Sequence, residues 1–227
     1  MYQSIILVDD HAVLRNGIKN WIETHSDYKV KYEAGSCSEC MEIIEKIKAA
    51  EQTDCHSETS DCIAIVDISF KPDLSTLPNG MPVHEENCGF EIIKQFSALG
   101  VPCIVFSSHD SGGFVEHAMS PQIGAKGFVS KTADENILLA ALSSVASGKT
   151  YIQAELVTGL LEVRDITQTF TKKEKLVADA LTLYNTNADV AEKLSISEKT
   201  VVNYLTVLYD KAGVENKLQF LEKMGRL

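Results

Sequence analysis

Acidic, basic and hydroxyl side chains stand at the ends of several apolar segments of this sequence. Asp9 and Asp10 follow IILV, Asp67 follows CIAIV, Ser107 closes CIVFS, and Lys131 comes directly after GFVS. Carboxylates held in one pocket repel one another, so keeping them ionised is costly unless a cation shares them. Mg²⁺ prefers oxygen ligands and can bind a phosphoryl oxygen while a carboxylate attacks phosphorus in line. These residue types therefore predict a phosphoryl-accepting site in which the lysine and the hydroxyl contact phosphoryl oxygens.

Apolar runs that alternate with helical patterns would position these residues. Strands are predicted at residues 3–8, 28–34, 62–66, 102–107 and 126–129, and helices at 12–24, 38–49, 90–99, 113–122 and 133–147. Such alternation predicts an α/β fold whose doubly wound, five-stranded parallel sheet is covered by helices on both faces. Ligands of these sheets bind outside the carboxyl ends of the strands, at the switch point of the strand order. We therefore expect the site residues to converge at one edge of the sheet.

The remainder of the chain differs in both pattern and charge. Residues 149–169 are typical of a linker with a short helix near 153–163, and only helical patterns follow, at 172–183, 187–194, 197–212 and 216–225. The chain carries a net charge of −11, but from Phe170 onward nine Lys/Arg and eight Asp/Glu give +1, which leaves −12 before it. A charge step of this kind predicts two domains with different partners.

Four segments within the first 147 residues match the motifs of a known domain. IILVDDH, AIVD, PCIVFS and GAKGFVSK resemble the acidic motif, the acceptor strand, the switch-hydroxyl strand and the lysine motif of a two-component receiver domain, the flavodoxin-like domain of response regulators. The resemblance implies that Asp67 accepts a phosphoryl group from a sensor histidine kinase or a small phosphodonor. Such a domain catalyses only its own phosphorylation and dephosphorylation, so we expect no separate enzyme activity.

The resemblance also assigns roles around Asp67. It implies that Mg²⁺ is held by Asp9, Asp10, Asp67 and the backbone carbonyl of Ser69. It further implies that Ser107 contacts the phosphoryl group, that Lys131 pairs with it, and that Phe128 is the aromatic residue that reorients on activation.

Two features depart from the receiver pattern. Thr132 stands where many receivers have a proline after the lysine. The segment 68–88 is more than ten residues longer than expected, and long loops beside a site are often functional. It could shield the phosphoryl group, slow its loss or bind a partner; a tolerated surface insertion is an equally open interpretation.

The C-terminal helices resemble a second domain. FTKKEKLVADAL and DVAEKLSISEKTVVNYLTVLYDKAGV resemble the LuxR/NarL-type helix-turn-helix, in which the second helix of the motif enters the major groove of DNA. Ser197 is a natural N-cap for that helix. A small core is expected from Val190, Ala191, Leu194, Ile196, Val201 and Leu208. We therefore expect a receiver at 1–148, a linker with a short helix at 149–169 and a helix-turn-helix domain at 170–227.

Candidate DNA contacts follow from this second resemblance. Asn203 and Thr206 fall at positions that face bases in relatives, and asparagine can pair with adenine. Further candidate contacts are Lys172, Lys173, Lys193, Lys199, Thr200 and Lys211. The recognition stretch VVNYLTVLYDK is poor in basic residues, which predicts weaker binding and a shallower salt dependence.

The combined interpretation is a transcription regulator that phosphorylation switches. Phosphorylation of Asp67 would alter domain contacts or promote a homodimer, and so change binding to promoter DNA. The alternative is a receiver-switched regulator whose acid-flanked helical domain binds a protein partner and not DNA.

Hydropathy indicates the cellular compartment, and the compartment determines the expected state of the cysteines. No apolar run approaches the roughly 20 residues that span a bilayer, and the first residues lack a basic leader, so we expect a cytoplasmic protein without membrane contact. The six cysteines are then expected to be mostly plain thiols. Cys37 and Cys40 form a CxxC without a second pair, and an ordinary structural role is favoured over a metal or redox role. Cys103 is expected to be a small core residue.

Overall fold

The computed structural model describes residues 4–52, 61–69, 88–184 and 186–225. The described residues form two compact units, one that lies within 1–110 and 118–154 and one that lies within 111–117 and 155–227. Most of the long segment 68–88 lies outside the described residues.

A parallel sheet forms the centre of the first unit. Among the described residues its strands are β1 (Ser4–Val8), β2 (Lys29–Ala34), β3 (Cys62–Val66), β4 (Cys103–Ser107), β5 (Gly127–Ser130) and β6 (Tyr151–Ile152), in the order β2-β1-β3-β4-β5-β6. The doubly wound arrangement is confirmed, and a sixth strand extends it. This strand comes from residues assigned to the linker, and two residues are too short to produce a recognisable periodicity.

Burial explains why the central strands are continuous apolar runs. Every residue of β3, β4 and β5 is buried, since helices cover both faces of the sheet. β2 lies at the edge of the sheet, and its residues are exposed or half-buried until Ala34. Packing on both faces therefore restricts the inner strands to one register and fixes the positions of their ends.

Helices α1 (Ala12–His25), α2 (Cys37–Gln52), α3 (Cys88–Ala98) and α5 (Glu135–Ala146) belong to the first unit. One face of the sheet contacts α1 through Ile18 and Ile22, and contacts α5 through Leu138 and Leu142. Ile5 and Leu7 of β1 point into this core, as the two-residue period of a strand requires. Asp134 caps α5 by accepting the backbone N–H of Asn136 at 2.9 Å.

The second unit is helical. It contains α4 (Gly112–Ala118, apart from its last residue), α6 (Val157–Gln168), α7 (Lys172–Leu183), α8 (Asn187–Leu194), α9 (Glu198–Ala212) and α10 (Lys217–Lys223). Four of the predicted core residues are buried, and the other two pack against the same core from half-buried positions: Val190, Ala191, Val201, Leu208, Leu194 and Ile196. None of the described helices combines the length and the apolar composition that a membrane span needs.

Local capping sets the bounds of these helices. Thr171 and Glu174 form a capping box at the start of α7, and Thr186 and Asp189 form one at the start of α8. Ser197 caps α9 as predicted, because its hydroxyl accepts the backbone N–H of Thr200 at 3.1 Å. Capping side chains supply acceptors that the first turn of a helix lacks.

The cysteines differ from expectation at one place. Cys37 and Cys88, the first residues of α2 and α3, are joined by a disulfide across 51 positions of sequence, so they are not plain thiols. Cys40, Cys62 and Cys103 are buried thiols, and burial raises the pKa of Cys40 and of Cys103 to about 12. The sequence did not reveal the bond because its two residues are far apart in the chain and do not belong to the same CxxC.

Removal of the α9 cap should weaken the second unit. Ser197→Ala removes the acceptor for the Thr200 N–H, and we expect the free energy of unfolding of this unit to fall by about 1 kcal/mol. Urea denaturation followed by helical circular dichroism measures the change. Ser197→Thr keeps the hydroxyl, so its free energy of unfolding should fall much less. Equal losses of stability in both variants would contradict the capping role.

Candidate functional site

The carboxyl ends of neighbouring strands bring the predicted acidic residues together. Val8 of β1 lies opposite Val66 of β3 in the parallel register, so Asp9 and Asp67, which follow them, lie side by side. Neighbouring strands are roughly 4.8 Å apart, and both carboxylates are buried, with 1% of each residue exposed. Two unshielded carboxylates at this spacing would repel strongly, so the arrangement requires a positive charge beside them.

Lys131 supplies that cation. Its ammonium donates to Asp9 Oδ2 and to Asp67 Oδ2, each at 2.7 Å. Burial by itself lowers the pKa of Lys131, but the bonds to the two carboxylates outweigh burial and the net shift is upward from 10.5. The lysine therefore stays protonated at neutral pH and links the ends of three strands, β1, β3 and β5.

Hydroxyls and backbone amides line the side of the site next to β4. The Ser69 N–H donates to Asp67 Oδ1 at 2.9 Å, which leaves both oxygens of this carboxylate bonded. Ser107, fully buried, lies with its Oγ 3.4 Å from Ser69 Oγ and accepts the backbone N–H of His109 at 3.1 Å. The structure thus brings Ser69, Ser107, Asp67 and Lys131 together.

The pocket is compatible with metal binding. Ligand atoms of Asp9, Asp10, His11 and Asp67 all lie within 4.8 Å of one another. Asp10 and His11 are the exposed members, and Asp10 Oδ1 is 2.8 Å from His11 Nδ1. Three carboxylates against one lysine leave two negative charges, which one divalent cation would balance.

Arg15 and His11 support Asp9, and neither was predicted to belong to the site. The Arg15 guanidinium donates to the Asp9 backbone carbonyl, and its Nε lies 3.6 Å from Glu33 Oε2. The His11 N–H donates to Asp9 Oδ1 at 2.8 Å. The four-residue spacing of His11 and Arg15 at the start of α1 is the signal that could have placed both beside the pocket.

Gly89 packs directly on the backbone that follows β3. A Cβ atom built on Gly89 would lie 2.5 Å from Ile68 Cα and 2.6 Å from the Asp67 carbonyl oxygen, which leaves no room for a side chain. The close approach seats the start of α3 beside Asp67.

Phe128 is buried in β5, where it lies opposite Val105 and Ile152. The role of Phe128 as a reorienting residue stays a prediction, as does the role of the Ser69 carbonyl as a metal ligand.

The candidate DNA contacts lie on three helices of the second unit. Lys172 and Lys173 begin α7, Lys193 lies in the last turn of α8, and Lys199 lies in the first turn of α9; all four are exposed. Thr200 is half-buried, and its hydroxyl is 2.8 Å from the Ser197 hydroxyl.

Exposed residues of α9 form one continuous face. Lys199, Asn203 and Thr206 share it by helical spacing. The face, which we call the α9 outer face, consists of Lys199, Val202, Asn203, Thr206, Val207 and Asp210.

Lys211 does not lie on the α9 outer face. Its ammonium donates to Glu174 Oε2 at 2.6 Å and to the Thr169 carbonyl at 2.8 Å. The bond from Lys211 is the main reason that the pKa of Glu174 is lowered. Lys211 therefore joins α9 to the start of α7.

Comparison with known proteins gives matches over both units. The family described as "Response regulator receiver domain" matches residues 5–143, and the family described as "Bacterial regulatory proteins, luxR family" matches residues 168–224. The transcriptional regulatory protein UhpA of Salmonella typhimurium is 30% identical over 178 residues, which cover 78% of this chain and 75% of that protein. The transcriptional regulatory protein YdfI of Bacillus subtilis is 25% identical over 186 residues, which cover 78% and 74%.

Solved structures share the fold. The complex of the two-component response regulator RcsB with DNA aligns over 100% of both chains with a TM-score of 0.62 and 22% identity. RcsB from Salmonella enterica serovar Typhimurium, bound to a promoter in the presence of phosphomimetic BeF3⁻, aligns over 98% of this chain and 99% of its own with a TM-score of 0.61 and 20% identity.

The packing of Gly89 leads to a stability prediction. Gly89→Ala forces a methyl group against backbone atoms of residues 67 and 68, and we expect the free energy of unfolding of the first unit to fall by about 1–3 kcal/mol. Gly17→Ala is the matched control, because its Cβ would meet nothing within 4 Å and alanine should stabilise α1 by about 0.5–1 kcal/mol. Denaturant titration measures both, and an unchanged Gly89→Ala variant would contradict the close approach.

Proposed function

The chain belongs to the response regulators that join a receiver domain to a LuxR-family regulatory domain, and from this premise we propose that Asp67 is its phosphoryl acceptor. The observation that carries the proposal is the ammonium of Lys131, which lies 2.7 Å from carboxylate oxygens of both Asp67 and Asp9. A cation at this point can neutralise a phosphoryl group that arrives on Asp67. The donor would be a sensor histidine kinase or a small acyl phosphate.

The acceptor reaction needs little beyond position and charge. A carboxylate oxygen of Asp67 attacks phosphorus in line, the bond from phosphorus to the donor breaks, and the donor leaves with the bonding electrons. Ser107 Oγ and the Lys131 ammonium would then bond to separate phosphoryl oxygens. The only catalysis proposed is this self-phosphorylation and the later hydrolysis of the acyl phosphate.

Mg²⁺ is the proposed metal, because the ligand set is dominated by carboxylate oxygens. Asp9, Asp10, Asp67 and the Ser69 carbonyl would hold it. When bound, it would supply positive charge to the oxygens of the phosphoryl group in transfer. A chelator should therefore stop phosphorylation.

Phosphorylation would act as a switch through charge. The modified Asp67 gains roughly two negative charges, and Lys131 must then divide its hydrogen bonds among more anionic oxygens. We propose that Ser107 and Phe128 shift in response and that the phosphorylated chain forms a homodimer. Because its phosphodonor and its DNA target occur in the cytoplasm, that is the proposed compartment.

DNA binding is proposed for α9 with support from the ends of α7 and α8. Lys172, Lys173, Lys193 and Lys199 are exposed and would contact phosphates. Asn203 and Thr206 would face bases, with Thr200 beside them, and asparagine pairs well with adenine. Lys211 is the weakest candidate, since its ammonium is already bonded to Glu174 and Thr169.

The α9 outer face suits bases that present methyl groups. Val202 and Val207 are 47% and 39% exposed, and apolar side chains contact the methyl group of thymine. Together with Asn203, these residues favour A·T pairs over G·C pairs. Lys199 and Asp210 balance each other in charge, so affinity would depend more on base contacts and dimerisation than on phosphate contacts.

A second candidate function is binding of a protein partner by the same face. The two exposed valines favour it, since exposed apolar residues on a helix are also typical of protein interfaces. Salt dependence separates the two functions, because only DNA binding releases condensed counterions. Retention of DNA fragments that falls steeply with salt supports the first function, and failure to retain DNA at low salt supports the second.

The acceptor assignment can be tested directly. Asp67→Asn should abolish uptake of phosphoryl from acetyl phosphate in the presence of Mg²⁺, because the amide cannot form the acyl phosphate. Asp165→Asn, an exposed change on α6, is the matched control and should leave uptake unchanged. Mass spectrometry of the intact chain measures the added phosphoryl group, and uptake by Asp67→Asn would disprove the assignment.

The DNA contacts can be tested by salt titration. Lys193→Gln and Lys199→Gln should each weaken binding across all sequences and reduce the slope of log affinity against log salt by about 1. Asn203→Ala should cost about 1–3 kcal/mol on A·T sites and leave the slope unchanged. Lys211→Gln should lower the stability of the second unit without changing the slope; a reduced slope in this variant would show that Lys211 contacts DNA.

A further inference from the structure

The Cys37–Cys88 disulfide connects two segments that border the acidic pocket. Cys37 follows the end of β2, where the Ala34 carbonyl accepts the backbone N–H of Asp9 at 3.1 Å. Cys88 directly precedes Gly89, which packs on the Asp67 carbonyl. The bond therefore joins the segment beside Asp9 to the segment beside Asp67, at a place where neither sulfur takes part in the proposed phosphoryl chemistry.

The cytoplasm proposed for this protein does not keep structural disulfides. Thiol reductants there maintain cysteines in the reduced form, and disulfides in such proteins are usually transient or redox-sensing. A bond between two distant helix starts in this setting is consistent with a pair that opens and closes.

The two cysteines differ from the other described cysteines in reactivity. Each is the first residue of a helix, and the positive end of a helix favours the thiolate, which is the reactive form of cysteine. Cys88 is half-buried and Cys37 is buried, so an oxidant reaches Cys88 first. Burial raises the pKa of the thiols of Cys40, Cys62 and Cys103, and they are poor nucleophiles.

We propose that Cys37 and Cys88 form a reversible thiol–disulfide switch whose oxidised form holds the phosphoryl-acceptor pocket in its assembled geometry. The oxidant is a peroxide. The Cys88 thiolate attacks one peroxide oxygen, the O–O bond breaks, and a sulfenic acid and an alcohol or water result. The Cys37 thiolate then attacks the Cys88 sulfur and displaces hydroxide, which leaves as water, so that two thiols have lost two electrons and two protons to the peroxide.

An external thiol reductant breaks the disulfide again. An external dithiol attacks Cys88, the more accessible sulfur, and is itself oxidised to a disulfide while both protein thiols are restored. In the reduced state the covalent connection between the starts of α2 and α3 is absent. In the oxidised state both segments lose freedom, which preorganises Asp9 and Asp67 for the acceptor reaction.

Thiol trapping tests the bond itself. The full chain is treated with hydrogen peroxide, its remaining thiols are alkylated, and its peptides are analysed by mass spectrometry before and after dithiothreitol. We expect a linked pair of peptides containing Cys37 and Cys88 that dithiothreitol removes, with Cys40 and Cys103 alkylated only after denaturation. Absence of this pair at every peroxide concentration, or a Cys37–Cys40 bond in its place, would overturn the proposal.

Autophosphorylation tests the coupling, which rests on the proposed role of Asp67. With acetyl phosphate and Mg²⁺, the oxidised chain should be phosphorylated at least about twofold faster than the reduced chain. Cys88→Ser should give one rate under both conditions, whereas Cys40→Ala should behave as the native chain does. Equal rates in the native chain would overturn the coupling, and no phosphorylation in either redox state would instead refute the role of Asp67.

Discussion

Repulsion between Asp9 and Asp67 is the constraint on which the rest of the site depends. Two carboxylates that are almost completely buried at the ends of adjacent strands can stay ionised only if positive charge reaches both. Lys131 contacts an oxygen of each, and it comes from a strand two positions away from β3 in the sheet. The order of the strands in the sheet therefore places Lys131 beside both carboxylates, and no local motif could do so.

Backbone hydrogen bonds between the strands fix the positions of these charged residues. The Asp67 N–H donates to the Val8 carbonyl at 2.9 Å, and the Lys131 N–H donates to the Ser107 carbonyl at 2.9 Å. Each charged residue is thus bonded to the last residue of a neighbouring strand before its side chain enters the pocket. Because β4 is buried throughout and β1 is buried except at Ser4, a slip in register would move apolar side chains out of their packing sites, and burial energy indirectly fixes the distances between the charges.

How much of the fold and of the site could be predicted depends on how far apart in sequence the interacting residues are. Continuous apolar runs predicted the inner strands, and the rule for ligands at strand ends predicted that Asp9, Asp67, Ser107 and Lys131 would meet. The cap of α9 was predicted at Ser197 because a cap is local in sequence. The contact of Arg15 with Asp9 is local and could have been predicted from the spacing at the start of α1. The Cys37–Cys88 bond joins residues 51 positions apart, and β6 has only two residues, so neither left a pattern in the sequence.

The same constraint determines what a phosphoryl group could change. A modification shifts a conformational equilibrium only by the difference in its interaction energy between the two states. In the structure described, the Lys131 ammonium is bonded to two carboxylates. A phosphoryl group on Asp67 would compete for this ammonium and for Ser107 Oγ, which now lies 3.4 Å from Ser69 Oγ. The energy available to the switch would therefore come from an exchange of partners within one buried network, where a low dielectric makes each charge-assisted bond strong.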